Sequence, residues 1–353
     1  MTLEFPPFRP YPLLAGGHLQ TIAGAYLPGG HYPYRAAIRH VPLADGDQIA
    51  LHDDRSHWSA GDPVAILIHG LGGCYQSTYM ERCAAKLAAR GLRVFRMDLR
   101  GCGAGFALAK HPLHAGRSDD AAAVLDYVRK LCPGSPIHMA GFSMGANILV
   151  KMAGEMGAAA PPELVSLFAV SPPIDLVECS RNIRFGRNRM YDRRFVKNLL
   201  AHVRRRERQV PGALTRPLAP RPLGLLEFDD RFTAPLSGFA GVQDYYERAS
   251  SAPVLRNIAR PTLIVAAATD PIVPIGPFER ASYSATTRLV ITPCGGHLGF
   301  VGQRGSDPDR RWLDWRLIDW IEHHQGVAAT SESGRQRTES LKSPDSAPVP
   351  AGR

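Results

Sequence analysis

The stretch SPIHMAGFSMGANILVKMAGE (135–155) decides how the rest of the chain is read. It opens as a short apolar strand and closes as a helix whose apolar residues recur at helical spacing. Between the two lies Gly141-Phe142-Ser143-Met144-Gly145. The pentapeptide alone arises by chance; the strand before it and the helix after it turn it into evidence. A serine at so sharp a bend is forced into a strained backbone that projects its hydroxyl from the sheet edge. Residues two before and two after must be small, because strand and helix backbones nearly touch, and both are glycine here. The helix N-terminus aimed at that hydroxyl favours negative charge beside it.

Working outward, PVAILIHG (63–70), LRVFRMDLRG (92–101) and ELVSLFAVSPP (163–173) read as buried strands. MERCAAKLAARG (80–91) reads as a helix stopped by Gly91, and 118–134 as a helix with Ser118 as its N-cap. The pattern is lost over 174–240. It returns as a helix near 243–258, a strand over 260–270, a helix near 276–283 and a strand over 288–293. A closing helix over 309–324 carries Trp312, Trp315, Leu317 and Trp320 at core-packing spacing. Strand-like stretches near 36–43 and 48–53 precede all of this. Such alternation predicts an α/β fold with a mostly parallel central sheet and helices on both faces. The expected division is 1–60 as an N-terminal segment packing on the core, 61–173 and 241–326 as the core, 174–240 as an inserted cap over the pocket, and 327–353 as a disordered tail.

Composition limits the function. The 353 residues are 44% hydrophobic and 21% charged, ordinary for a globular protein. No stretch approaches the ~20 apolar residues of a membrane span, and MTLEFPPFRPYPLL does not read as a secretory signal, so a cytoplasmic location is expected. Six cysteines lack CxxC pairing and are expected as free thiols; thirteen histidines lack HExxH spacing, and neither a metal nor a cofactor is expected. Of the net charge of +10, residues 181–208 hold +9. The simpler reading of that segment is a solvated helix. Its functional reading is peripheral contact with an anionic membrane, with no nucleic acid expected because no aromatic interleaving accompanies the cations.

A serine hydroxyl needs a base, and the base needs an orienting group. Asp270 ends an apolar strand, and His297 follows the next strand 27 residues later in a glycine-bracketed loop. The tetrad GGHL occurs twice, at 16–21 as GGHLQT and at 295–300 as GGHLGF. His18 precedes the sheet and fails on order, so His297 is the candidate base. Asp98 ends a strand too early in the chain. The backbone N–H groups of Leu71, in His69-Gly70-Leu71-Gly72-Gly73, and of Met144 are the expected oxyanion donors; His69 reads as loop-shaping.

With these motifs in hand, the chain resembles the YheT-like branch of the α/β-hydrolases, the AB hydrolase superfamily 4 group. The resemblance rests on GGHLQT, HGLGG (69–73), RGCG (100–103), HAGRSDD (114–120), GFSMGANILVK (141–151), EFDDRFTAPLSGF (227–239), DYYERAS (244–250), ATDPIVP (268–274) and GGHLGF. It implies an α/β-hydrolase fold and a triad on Ser143, Asp270 and His297. It departs where Gly103-Ala104-Gly105 replaces the serine-glycine usual after RGC. The expected activity is a serine carboxylesterase cleaving short- to medium-chain carboxylic esters through an acyl-serine intermediate, its partner a small-molecule ester or lipid-like substrate. Two other readings stay open: an acyltransferase, for which His40 and Asp45 form a weak HxxxxD pattern, and a non-catalytic scaffold that binds through the basic insertion. GGHLQT is expected to fold back near the active-site mouth, with His18 in structural hydrogen bonds.

Overall fold

The apolar runs do become the centre of a sheet. The computed structural model describes residues 3–27, 32, 34–54 and 58–325. In it β3 (Val64–Ile68), β4 (Arg93–Met97), β5 (Ile137–Phe142) and β7 (Thr262–Ala267) are buried at every residue. Strands of that kind must be covered on both faces. β6 (Leu164–Val170) and β8 (Thr287–Thr292) extend the sheet, and the hairpin β1 (Ala37–Pro42) and β2 (Gln48–Asp54) adds two antiparallel strands at one edge. Among the described residues the order is β1-β2-β4-β3-β5-β6-β7-β8, parallel from β4 onward.

Parallel neighbours require crossovers, and helices supply them. α1 (Gly17–Tyr26) precedes the sheet; α2 (Thr78–Ala88), α3 (Ser118–Leu131) and α4 (Met144–Met156) link its first parallel strands. α5 (Leu176–Ile183), α6 (Arg189–Gln209), α7 (Leu225–Phe228), α8 (Ala234–Leu236) and α9 (Val242–Ala249) lie between β6 and β7. α10 (Gly276–Arg280) precedes β8, and α11 spans 312–325. Side chains of α3 and α4 pack with Ile66 and Ile68 on one face, while α2 and α11 pack with Ala65 and Leu67 on the other. The two-residue alternation along β3 therefore feeds two separate cores. Trp312, Leu317 and Trp320 are buried as expected, and Trp315 lies half-exposed beneath the cations of Lys86 and Arg90.

Three local expectations need adjusting. Gly91 closes α2 as foreseen, at φ +82, but the helix ends at Ala88, with Leu92 N–H donating back to Leu87. Ser118 is not an N-cap: it is the first helical residue, and its hydroxyl donates to Glu155 on α4 instead. α1 is an unexpected helix: its inward residues are small and polar, so its period does not mark a core-packed face. The expected tail, 327–353, lies outside the described residues.

Arg100 ties the antiparallel edge to the parallel core. Its guanidinium, 1% exposed, donates to both carboxylate oxygens of Asp120 on α3 at 3.0 and 2.6 Å. It also donates to Asp45 and Asp47, in the turn joining β1 and β2, at 2.6 Å each. Asp45, Asp47 and His111 thus converge around an arginine. Burial pushes the Asp120 carboxyl up, and Arg100 opposes that shift. Removing one partner strands the others without compensating charge. Arg100→Leu should therefore lower folding stability by about 3–5 kcal/mol, read as a fall in the urea midpoint at unchanged slope; an unshifted midpoint would refute this role.

Candidate active site

Ser143 occupies the bend between β5 and α4 with φ 54 and ψ −121, a region that side-chain-bearing residues rarely enter. Its neighbours explain how the bend is tolerated. A Cβ on Gly141 would lie 2.6 Å from the Gly145 carbonyl oxygen, and one on Gly145 would collide with the carbonyl oxygens of Ile68 and His69. A Cβ on Gly70 would meet that of Ser143 at 2.9 Å. The hydroxyl that results stands 2.7 Å from Nε2 of His297. Nδ1 of His297 is 2.9 Å from Oδ2 of Asp270. The other carboxylate oxygen of Asp270 accepts the N–H groups of Ile272 and Val273 at 2.8 and 3.1 Å, which aims the carboxylate at the imidazole. With Nδ1 facing an anion, the ring proton belongs on Nδ1, leaving the Nε2 lone pair toward Ser143.

The expected oxyanion donors also border this point. Leu71 and Met144 line the same cavity as Ser143. Met144 is the first residue of α4, so its N–H has no partner inside the helix, and the Leu71 N–H has none among the described residues. His69 shapes the loop that carries Leu71: Nδ1–H donates to Gly70 O at 2.8 Å and Nε2 accepts from Leu99 N–H at 3.0 Å. Burial lowers its pKa, keeping it neutral. Asp98 is turned away, accepting from Tyr75 N–H, Ala104 N–H and His52. The close approach of Gly103, at φ +50, to that carboxylate leaves no room for a side chain, which accounts for the glycine in the departing RGCG-Ala-Gly loop. His40 lies on the edge strand β1 and Asp45 is held by Arg100, so the HxxxxD pair is not assembled at Ser143.

The two GGHL copies meet. α1 presents Gly17, Gln20, Thr21 and Gly24 inward, against the loop that bears His297. Thr21 Oγ1 accepts the backbone N–H of His297 at 2.8 Å while donating to Gly17 O at 2.7 Å. Gln20 brackets Val301, donating to its carbonyl at 3.1 Å and accepting its N–H at 2.8 Å. Gly24 and Gly299 are in backbone contact. His18 faces elsewhere, its Nδ1 3.0 Å from the hydroxyl of Tyr191 on α6, with the two rings parallel. Sequence reading singled out the motif but not Thr21, whose importance depends on a partner 276 residues away.

The cavity above Ser143 measures about 440 Å³. Its walls are chiefly apolar, with Leu71, Leu199, Phe228, Phe232 and Tyr245 drawn from the core loops and from the helices between β6 and β7. Among the buried polar groups in its walls are His114 and Asp229. Burial first, then nearby Arg117, drives His114 down to about 3. Burial raises the Asp229 carboxyl to about 7, although Thr233 and Tyr246 donate to it at 2.6 and 2.8 Å. A carboxyl raised in the folded chain keeps a proton that the unfolded chain has lost, so its contribution to stability falls as pH rises from about 4 through about 7. Asp229→Asn, which carries no charge at any pH, should gain on wild type in melting temperature across that window and run parallel outside it. A pH-independent difference would refute the assignment.

The sequence matches the family model of the alpha/beta hydrolase fold over residues 63–302. YheT of Escherichia coli, a candidate esterase, is 29% identical over 328 residues, covering 90% of this chain and 93% of that one. Phospholipase ABHD3 of Mus musculus is 26% identical over 270 residues, covering 74% of this chain and 65% of that one. The Pyrococcus furiosus esterase Pf2001 shares the fold, with a TM-score of 0.53 at 14% identity over 84% of this chain and 97% of that one. No helix among the described residues is long and apolar enough to cross a membrane. From the first buried strand to the loop beyond His297, the match and the topology agree: the chain belongs to the α/β-hydrolase fold family and has relatives of esterase and lipase type.

Proposed function

We propose that the protein is a serine carboxylesterase acting on short- to medium-chain, lipid-like esters, with the helices of 174–240 as its cap. The observation that carries this reading is the unbroken relay of 2.7 Å from Ser143 to His297 and 2.9 Å from His297 to Asp270. As Ser143 Oγ attacks the ester carbonyl carbon, its proton passes to Nε2 of His297. Asp270 stabilises the imidazolium that forms, without taking the proton itself. The carbonyl oxygen becomes an oxyanion held by the N–H groups of Leu71 and Met144, each worth ~3 kcal/mol in the transition state. Collapse breaks the ester C–O bond, and Nε2 returns the proton to the departing alcohol. Water then repeats the sequence on the acyl-serine, releasing the carboxylic acid and restoring the hydroxyl.

The apolar walls supply the reason for lipid-like acyl chains, since desolvating a chain there is favourable at roughly 25 cal/mol per Å². The relative named as a phospholipase is consistent with the same substrate class.

A fluorophosphonate probe should label the wild-type protein and not Ser143→Ala; absence of wild-type labelling would end the esterase reading. Across p-nitrophenyl esters from acetate to palmitate, kcat/KM should peak in the short to medium range. His297→Ala should lose on the order of 10⁴-fold or more in kcat, whereas His18→Ala should stay within about tenfold, because His18 meets Tyr191 rather than the substrate. Near-equal losses would reverse the assignment. Thr21→Val should lower kcat by about tenfold at similar KM, with Thr21→Ser restoring it, since one misplaced orienting hydrogen bond perturbs the imidazole rather than binding.

A further inference from the structure

α1 is built inside out. Its inward face is glycine, glutamine and threonine, while Leu19, Ile22 and Tyr26, spaced i, i+3 and i+7, form one outward stripe at 48%, 39% and 57% exposure. Leu13 and Leu27 are exposed at either end of this helix. The helix abuts α6, through His18 against Tyr191 and through Arg194 lying over the Tyr26 ring.

The outward face of α6 continues the surface with cations. Met190, Arg193, Arg194, Lys197, Arg204 and Arg208 recur at i, i+3, i+4, i+7, i+14 and i+18, all exposed. Just before α6, Phe185 stands 69% exposed between Arg184 and Arg187. Among the described residues, none of Arg184, Arg187, Arg193, Arg194 and Lys197 forms an ion pair with a carboxylate. The inward face of α6 meanwhile lines the cavity with Phe195, Leu199 and His202.

An exposed apolar stripe beside an unneutralised row of arginines fits one kind of surface. We infer that α1 and α6 together dock on an anionic lipid bilayer. Leu19, Ile22, Phe185 and Met190 enter the interface, and the α6 cations sit among the anionic headgroups. Nucleic acid would satisfy the arginines but leave the aliphatic side chains without a partner, whereas a charged lipid interface satisfies both. Lipid-facing apolar residues also explain why a helix that grips the core with its glycines keeps its leucine and isoleucine outside. The inference is independent of the esterase reading, because it concerns faces turned away from Ser143.

The test uses the full chain carrying Ser143→Ala, so that lipid hydrolysis cannot intervene. It should sediment with phosphatidylcholine vesicles containing phosphatidylglycerol and not with phosphatidylcholine alone, and added salt should release it. The triple change Arg187→Glu, Arg193→Glu and Lys197→Glu, or the pair Leu19→Ser and Ile22→Ser, should weaken binding by about tenfold or more. Both sets, made with Ser143 intact, should retain the wild-type thermal midpoint and fluorophosphonate labelling if they fold. If a set fails to fold, the single changes Arg193→Glu and Ile22→Ser replace it, each with a smaller loss expected. Equal partitioning onto both vesicle types, or binding unaffected by the folded variants, overturns the inference. So does RNA binding without vesicle binding, or a dimer dispersed by Leu19→Ser and Ile22→Ser in a protein that ignores vesicles.

Discussion

The Ser143 backbone is the constraint from which the rest of the site follows. At φ 54 and ψ −121 it carries strain of the order of 1–3 kcal/mol, and nothing local relieves it. What holds it is the surrounding backbone. Gly141 and Gly145 let β5, α4 and the end of β3 approach within distances that any side chain would prevent, and Gly70 lets the following loop pass beside the serine Cβ. The strain is thus maintained by the packed sheet, and the projecting hydroxyl is its outcome. The same close approach brings the loop of Leu71 and the first turn of α4 to the wall of one cavity.

A projecting hydroxyl does nothing until an imidazole is brought to it, and here two distant segments cooperate. β7 and β8 run side by side, so Asp270 and the His297 loop emerge at the same sheet end. The loop itself is glycine-rich and has little internal support, being closed by one Gly296 N–H to Gly299 O contact of 2.8 Å. α1 supplies the missing support with its own glycines, Thr21 and Gln20. The recurrence of GGHL therefore has a physical meaning: both copies need small residues because their backbones lie against each other. In one copy the histidine reaches Ser143; in the other it stacks on Tyr191.

Charge is distributed with the same division of labour. Inside, Arg100 gathers Asp45, Asp47 and Asp120, and Asp229 sits protonation-sensitive in an apolar wall. Outside, the cations Arg193, Arg194, Lys197, Arg204 and Arg208 of α6 face solvent, while its other face closes the cavity and turns Arg206 inward to the carbonyls of Ala109 and Lys110. One helix thus separates an apolar interior from a strongly basic exterior.

What the sequence determined by itself was whatever is encoded locally. Buried parallel strands announce themselves as apolar runs, the Ser143 turn by its glycines, and the candidates Asp270 and His297 by standing at strand ends in a required order. The acceptors and donors around them were not legible. Thr21, Gln20, Arg100 and Asp229 owe their positions to partners far along the chain, and a single polar residue in a sequence gives no sign of which distant amide or carboxylate it will meet. α1 was hidden for a related reason. Its apolar face points outward and its small residues inward, the reverse of the periodicity that marks a helix packed on a core, so only the folded chain could show that a glycine-rich segment is helical and which of its faces grips the His297 loop.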